Sequence, residues 1–101
     1  MARVVLTDSA DADSESIIRY LGRKAGPSTV LKYRTLFKAL YHRLADHPDI
    51  GAPRPDLGRN IRIGVVTPYI FVYEHPPGAE IVTVLRILHG RRKVVAKLLS
   101  E

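Results

Sequence analysis

The sequence contains no cysteine. Disulfides, thiolate zinc sites and a cysteine nucleophile are thereby excluded. Small secreted domains more often carry disulfides. No apolar run approaches the roughly 18 residues that a membrane span requires. The N-terminal stretch Val4-Val5-Leu6 is too short for a signal peptide. The expectation is a cytoplasmic protein that does not engage membranes. There is no Gly-rich phosphate loop, internal repeat or low-complexity segment. His42 and His47 have no third ligand nearby, so no metal site is expected. Asp8, Ser9 and His89 do not form a recognisable triad spacing, and no cofactor is implied. Acidic residues are in the minority. Ten Asp/Glu stand against sixteen Lys/Arg, a formal charge of +6. That balance favours a polyanionic partner, either nucleic acid or an acidic protein.

The chain has 101 residues, of which 46% are hydrophobic and 26% charged. Such a composition is globular, and the length predicts a single domain over 1–101. Residues 1–53 carry eight basic and six acidic groups, net +2. Residues 54–101 carry eight and four, net +4.

Arg3 to Thr7 reads as a strand, and Asp8 or Ser9 as the cap of a first helix. Asp11, Asp13 and Glu15 complement the positive end of that helix. Its apolar positions recur three and four apart through Ile17, Ile18 and Leu21. It ends near Gly22–Gly26, with Arg23 and Lys24 in its last turn. Pro27 suits the first turn of a second helix. There Val30, Tyr33, Phe37, Leu40, Tyr41 and Leu44 keep a 3-4 rhythm up to His47-Pro48. The short connection predicts an antiparallel helical hairpin. The prolines and glycines of Asp46 to Gly58 exclude regular structure there. Three strands follow: one from Ile61 to Val66, one from Tyr69 to Glu74, and a long central one from Glu80 to His89. The fold class is α+β, in the order β-α-α-β-β-β, with the hairpin packed on an antiparallel-rich sheet. Lys93 to Ser100 is expected to form either a short amphipathic helix or a tail.

Arg86 interrupts an apolar strand, where a guanidinium must be paired or reach solvent. By alternation it shares a face with Val82, Val84 and Leu88. An ion pair with Asp13 or Glu15 is one reading, and an anchor for phosphate or carboxylate is the other. Alternation puts His89 on the opposite face with Ile81, Leu85 and Ile87. It is either a hydrogen-bonded surface residue or a general acid or base. Gly90 allows the chain to turn, and Arg91-Arg92-Lys93 then follow at a fixed place. Tyr69, Phe71 and Tyr73 share one face, expected beneath the helices rather than serving as a base-stacking platform.

Several segments together resemble the toxins of the RelE/ParE superfamily, the ParE branch most closely. They are Tyr33 through Leu44 with His47-Pro48 and Gly51, Pro55-Asp56-Leu57-Gly58 leading to Ile61-Arg62, and Ile87-Leu88-His89-Gly90-Arg91-Arg92. The resemblance implies one half of a bacterial type II toxin–antitoxin pair, of the kind associated with plasmid stabilisation. It implies inhibition of DNA gyrase, with Arg86, His89, Arg91, Arg92 and Lys93 contacting the target. It also implies a ParD-like antitoxin that orders on binding in a hetero-oligomer. The exposed side of the hairpin, with Leu31 and Leu36, and Arg62 are its expected contacts. The RelE branch implies the alternative, an endoribonuclease acting on mRNA at the ribosome, with Arg62, Arg86 and His89 as its catalytic set. No tyrosine follows Tyr73, so the C-terminal aromatic common in that branch is missing.

Overall fold

In a computed structural model, which describes residues 1–100, the chain begins with strand β1, Arg3–Leu6. Helix α1 spans Asp8–Ala25. Its cap is Thr7 rather than Asp8 or Ser9. Thr7 is extended (φ −67°, ψ 164°), and its Oγ1 accepts from the Ala10 N–H at 3.1 Å. Asp8 and Asp11 then fall in the first turn, where a carboxylate complements the helix dipole without capping it. Gly26, at φ 86°, closes α1 with its N–H on the Leu21 carbonyl. Helix α2, Pro27–Asp46, starts at the next residue. So short a link brings the two helices back as the expected hairpin. Phe37, Leu40 and Leu44 are the buried face of α2.

The sheet has five strands in the order β1-β5-β4-β3-β2. The three expected strands are β3 (Ile61–Val66), β4 (Tyr69–Glu74) and β5 (Ile81–His89). They form an antiparallel meander. β1 runs parallel to β5, with Arg3 opposite Ile81 and Leu6 opposite Val84. The strand the sequence reading missed is β2, Ala52–Pro53, in the segment expected to lack regular structure. It pairs antiparallel with β3. Pro53 is tolerated because β2 is the edge strand, where a missing N–H breaks no ladder.

A bulge divides β5. Tyr73 pairs with Val84 but Val72 pairs with Arg86, so Leu85 has no partner on β4. One extra residue reverses the facing of everything after it. Val82, Val84 and Ile87 therefore face the hairpin together with Phe37, Phe71 and Tyr73. His89, opposite Tyr69, is on that side as well. Arg86 and Leu88 are on the other side, opposite Val72 and Ile70. The simple alternation, which placed Arg86 with Val82 and Val84 and His89 with Leu85, is corrected by the bulge. The unpaired backbone at the bulge is satisfied from α1 and its cap. The Thr7 hydroxyl donates to the Leu85 carbonyl at 2.8 Å, and the Ile87 N–H donates to Asp13 at 3.0 Å.

Under the hairpin, rings meet edge to face, Phe37 with Phe71 at 4.9 Å and with Tyr69 at 5.9 Å. Each such pair contributes about 0.5–1.5 kcal/mol beyond its area. The tyrosines of β4 are thus core, as expected. The opposite face is covered by the C-terminal segment. Its 3₁₀ turn, Ala96–Ser100, buries Leu98 against Leu57, Ile61, Val72 and Leu88, and Val94 and Leu99 pack alongside.

Candidate functional site

The end of β5 is held from two sides. Arg86 is 8% exposed. Its Nε and Nη2 donate to the two oxygens of Asp13 at 2.7 and 3.0 Å. Its Nη1 donates to the Leu98 carbonyl at 2.9 Å. Of the two expected carboxylates, Asp13 makes the pair. It can do so because α1 takes over the edge of β5 where β1 ends, opposite Val84. A bidentate guanidinium–carboxylate contact is among the stronger paired geometries. Breaking such a buried pair by removing one partner costs about 3–5 kcal/mol.

His89 stands exposed at the strand end. Its ring meets Tyr69 edge-on at 5.8 Å. Nδ1 accepts from the Arg91 N–H at 3.0 Å, so a neutral ring carries its proton on Nε2. With Tyr20, Arg23, Tyr33, Pro68 and Tyr69 it lines an open cleft between the hairpin and the sheet. Tyr20 is 49% exposed there. Gly90 turns the chain, with its N–H on the Pro68 carbonyl at 2.7 Å. A Cβ at this position would lie 3.0 Å from that oxygen. Arg91, Arg92 and Lys93 follow, all exposed. Like charges so close together cost least where water can screen them.

Arg62 belongs to a different cluster. Its Nη1 donates to the carbonyls of Asp49 and Gly51 at 2.9 and 2.8 Å. The Tyr73 hydroxyl donates to Pro48 O and accepts from Gly51 N–H. His75 Nδ1 is 2.7 Å from Asp49 Oδ1, and Nε2 is 2.8 Å from the Ala79 carbonyl. Burial works against the imidazolium, but the Asp49 carboxylate and the Ala79 carbonyl outweigh it and raise the pKa of His75. The whole cluster pins the loop that follows α2. His75 was not singled out from the sequence, because it lies in a stretch, His75-Pro76-Pro77-Gly78, that reads only as a turn. The His-Pro-x-x-Gly pattern ending at Gly51 was the available signal.

Leu31 and Leu36 are both exposed, at 67% and 38%. Five residues apart on α2, they diverge by about 140° around its axis. The structure keeps His89, Arg91, Arg92 and Lys93 together at the end of β5, while Arg86 lies buried on the opposite face of that strand. Leu31, Leu36 and Arg62 do not converge on one patch. Among the described residues no group of three His, Asp or Glu could hold a metal ion. Among the same residues no helix is long and apolar enough to cross a membrane.

The fold has a solved counterpart. A structure of the chromosomal ParDE TA system from P. aeruginosa matches with a TM-score of 0.72. That match covers 88% of this chain and 96% of the other, at 22% identity. That likeness establishes the fold. Sequence narrows it further. Residues 4–94 match the family model described as "ParE toxin of type II toxin-antitoxin system, parDE". Toxin ParE3 of Caulobacter vibrioides is 30% identical over 98 residues, covering 97% of this chain and 96% of that protein. The chain belongs to the ParE toxin family of type II toxin–antitoxin systems.

Proposed function

We propose that this toxin acts on DNA gyrase and that a ParD-like antitoxin holds it silent in a hetero-oligomer in the cytoplasm. The observation that carries this reading is the division of labour among the basic side chains. Arg62 and Arg86 are engaged by protein acceptors. Arg91, Arg92 and Lys93 are exposed at the end of a buried strand. Catalysis on an RNA phosphate calls for guanidinium groups aimed at the developing charge, and the internal bonding of Arg62 and Arg86 argues against that use. A protein contact needs only a rigidly presented basic segment, which His89 to Lys93 supplies. Arg86 then serves as a support for that segment. The antitoxin contacts we assign to the exposed hairpin residues Leu31 and Leu36, reached by a segment that wraps around α2, with Arg62 bracing the loop that follows that helix. The charge of +6 suits an acidic antitoxin.

The test is gyrase supercoiling in the presence of the purified, folded chain. Loss of supercoiling at micromolar toxin is expected, and an unaffected enzyme would remove gyrase as the target. One observation favours the runner-up, a ribosome-dependent ribonuclease: His89 sits on the rim of the cleft that also holds Tyr20 and Arg23. Codon-phased mRNA cleavage that His89→Ala abolishes would establish that reading instead.

A further inference from the structure

Asp13 is the one acidic side chain of α1 with three described bonds to β5. It accepts from Arg86 Nε, from Arg86 Nη2 and from the Ile87 N–H. It is largely enclosed, its side chain being 17% exposed. The same guanidinium reaches the other way, to the Leu98 carbonyl. A guanidinium is planar, so two donors fixed on a carboxylate aim the third. Leu98 anchors the turn that covers the outer face of the sheet. The turn's own hydrogen bonds, Leu98 N–H to Val95 O and Ser100 Oγ to Lys97 O, stay within it.

We propose that Asp13 is a positioning residue for the whole C-terminal segment. By holding Arg86 in one orientation, it keeps the Leu98 carbonyl occupied and the turn seated on the sheet. The exposed residues Arg91, Arg92 and Lys93 are then fixed at both ends, by the bonds of Gly90 and Arg92 to Pro68 and His89 on one side and by the seated turn on the other. Neutralising Asp13 weakens the two-pronged contact that fixes the plane of the guanidinium. The third donor is then no longer aimed at the Leu98 carbonyl, and the turn loses that bond. This role rests on the reading that the basic segment contacts the target, but it can be tested independently of it.

The experiment compares amide hydrogen exchange, read by mass spectrometry, in the wild-type chain, Asp13→Asn and Asp13→Glu. Asp13→Asn is expected to speed exchange over 94–100 by at least about tenfold while β3 and β4 change little, since local opening precedes global unfolding. Asp13→Glu, which keeps the charge, should recover at least half of the lost protection. If Asp13→Asn is marginally folded, sulfate restores the native population and the comparison is made there. Gyrase inhibition by Asp13→Asn should fall about tenfold and recover with Asp13→Glu. Unchanged protection over 94–100 overturns the proposal, as does a rise that is uniform across β3, β4 and the turn. If the wild-type chain does not inhibit gyrase, the target assignment fails while the exchange data still decide the role of Asp13.

Discussion

The His75 imidazole lies 2.7 Å from the Asp49 carboxylate, and its other nitrogen faces the Ala79 carbonyl at 2.8 Å. Both ring nitrogens therefore meet acceptors, an arrangement that suits the imidazolium. Because the folded pKa is raised above the unfolded one, the protonated ring contributes stability in full below the ordinary histidine pKa of about 6.5. That contribution is lost as pH rises through the folded value. Thermal unfolding midpoints should therefore decline as pH rises out of the mildly acidic range. His75→Gln should flatten that part of the profile. A His75→Gln curve that parallels wild type would remove His75 as its source.

Gly51 allows no side chain. A Cβ there would lie 2.4 Å from the Ile63 carbonyl and 2.6 Å from the Tyr73 hydroxyl. Gly51→Ala has to push the loop away from β3 and strip Arg62 and Tyr73 of their acceptors. Urea denaturation should show a loss of more than about 2 kcal/mol, in the range of strain and broken buried networks.

The Tyr41 hydroxyl is buried, with no hydrogen-bond partner among the described residues. Burial, with Asp11 adding to it, pushes its pKa to about 12. Tyr41→Phe removes an unsatisfied group and leaves the ring on Phe71. Stability should stay level or rise by about 1 kcal/mol. Spectrophotometric titration should show the highest-titrating tyrosine missing from the variant.

Arg91→Ala with Arg92→Ala removes charge from an exposed segment. Unfolding free energy should move by no more than about 0.5 kcal/mol. Inhibition of gyrase should weaken at least about tenfold, equivalent to about 1.4 kcal/mol. The wild-type effect should itself weaken with added salt, as expected for exposed charges. A doubly substituted chain as potent as wild type would place the target contact elsewhere.

Much of this fold could be read from spacing alone. The 3-4 rhythm from Val30 to Leu44 and the Gly26-Pro27 junction specify the hairpin. The runs ending at Val66, Glu74 and His89 specify the meander. What escaped was set by contacts between residues distant in the chain. The bulge at Leu85 has no local signature, since its backbone is satisfied by Thr7 and Asp13 some seventy residues away. The pairing of Ala52–Pro53 depends on β3 lying beside it. The clamp on the 48–51 loop draws on Arg62, Tyr73 and His75, whose convergence appears only once β3 and β4 are paired. The basic segment was legible because it is contiguous. The anchoring of that segment through Arg86 was legible in part, with Asp13 named as a possible partner and Leu98 unforeseen.

The parallel pairing of β1 with β5 also sets an order of events in biosynthesis. Thr7 and Leu85 are 78 positions apart, so the first strand leaves the ribosome long before its neighbour exists. At cellular translation rates the gap is roughly 4–16 s. During that interval the hairpin can form locally, while β1 waits for a partner. The basic segment Arg91-Arg92-Lys93 follows β5 and is made only after it. A chain in which β1 still waits for its neighbour therefore does not yet carry the exposed basic residues, so the sheet can be completed before they are presented.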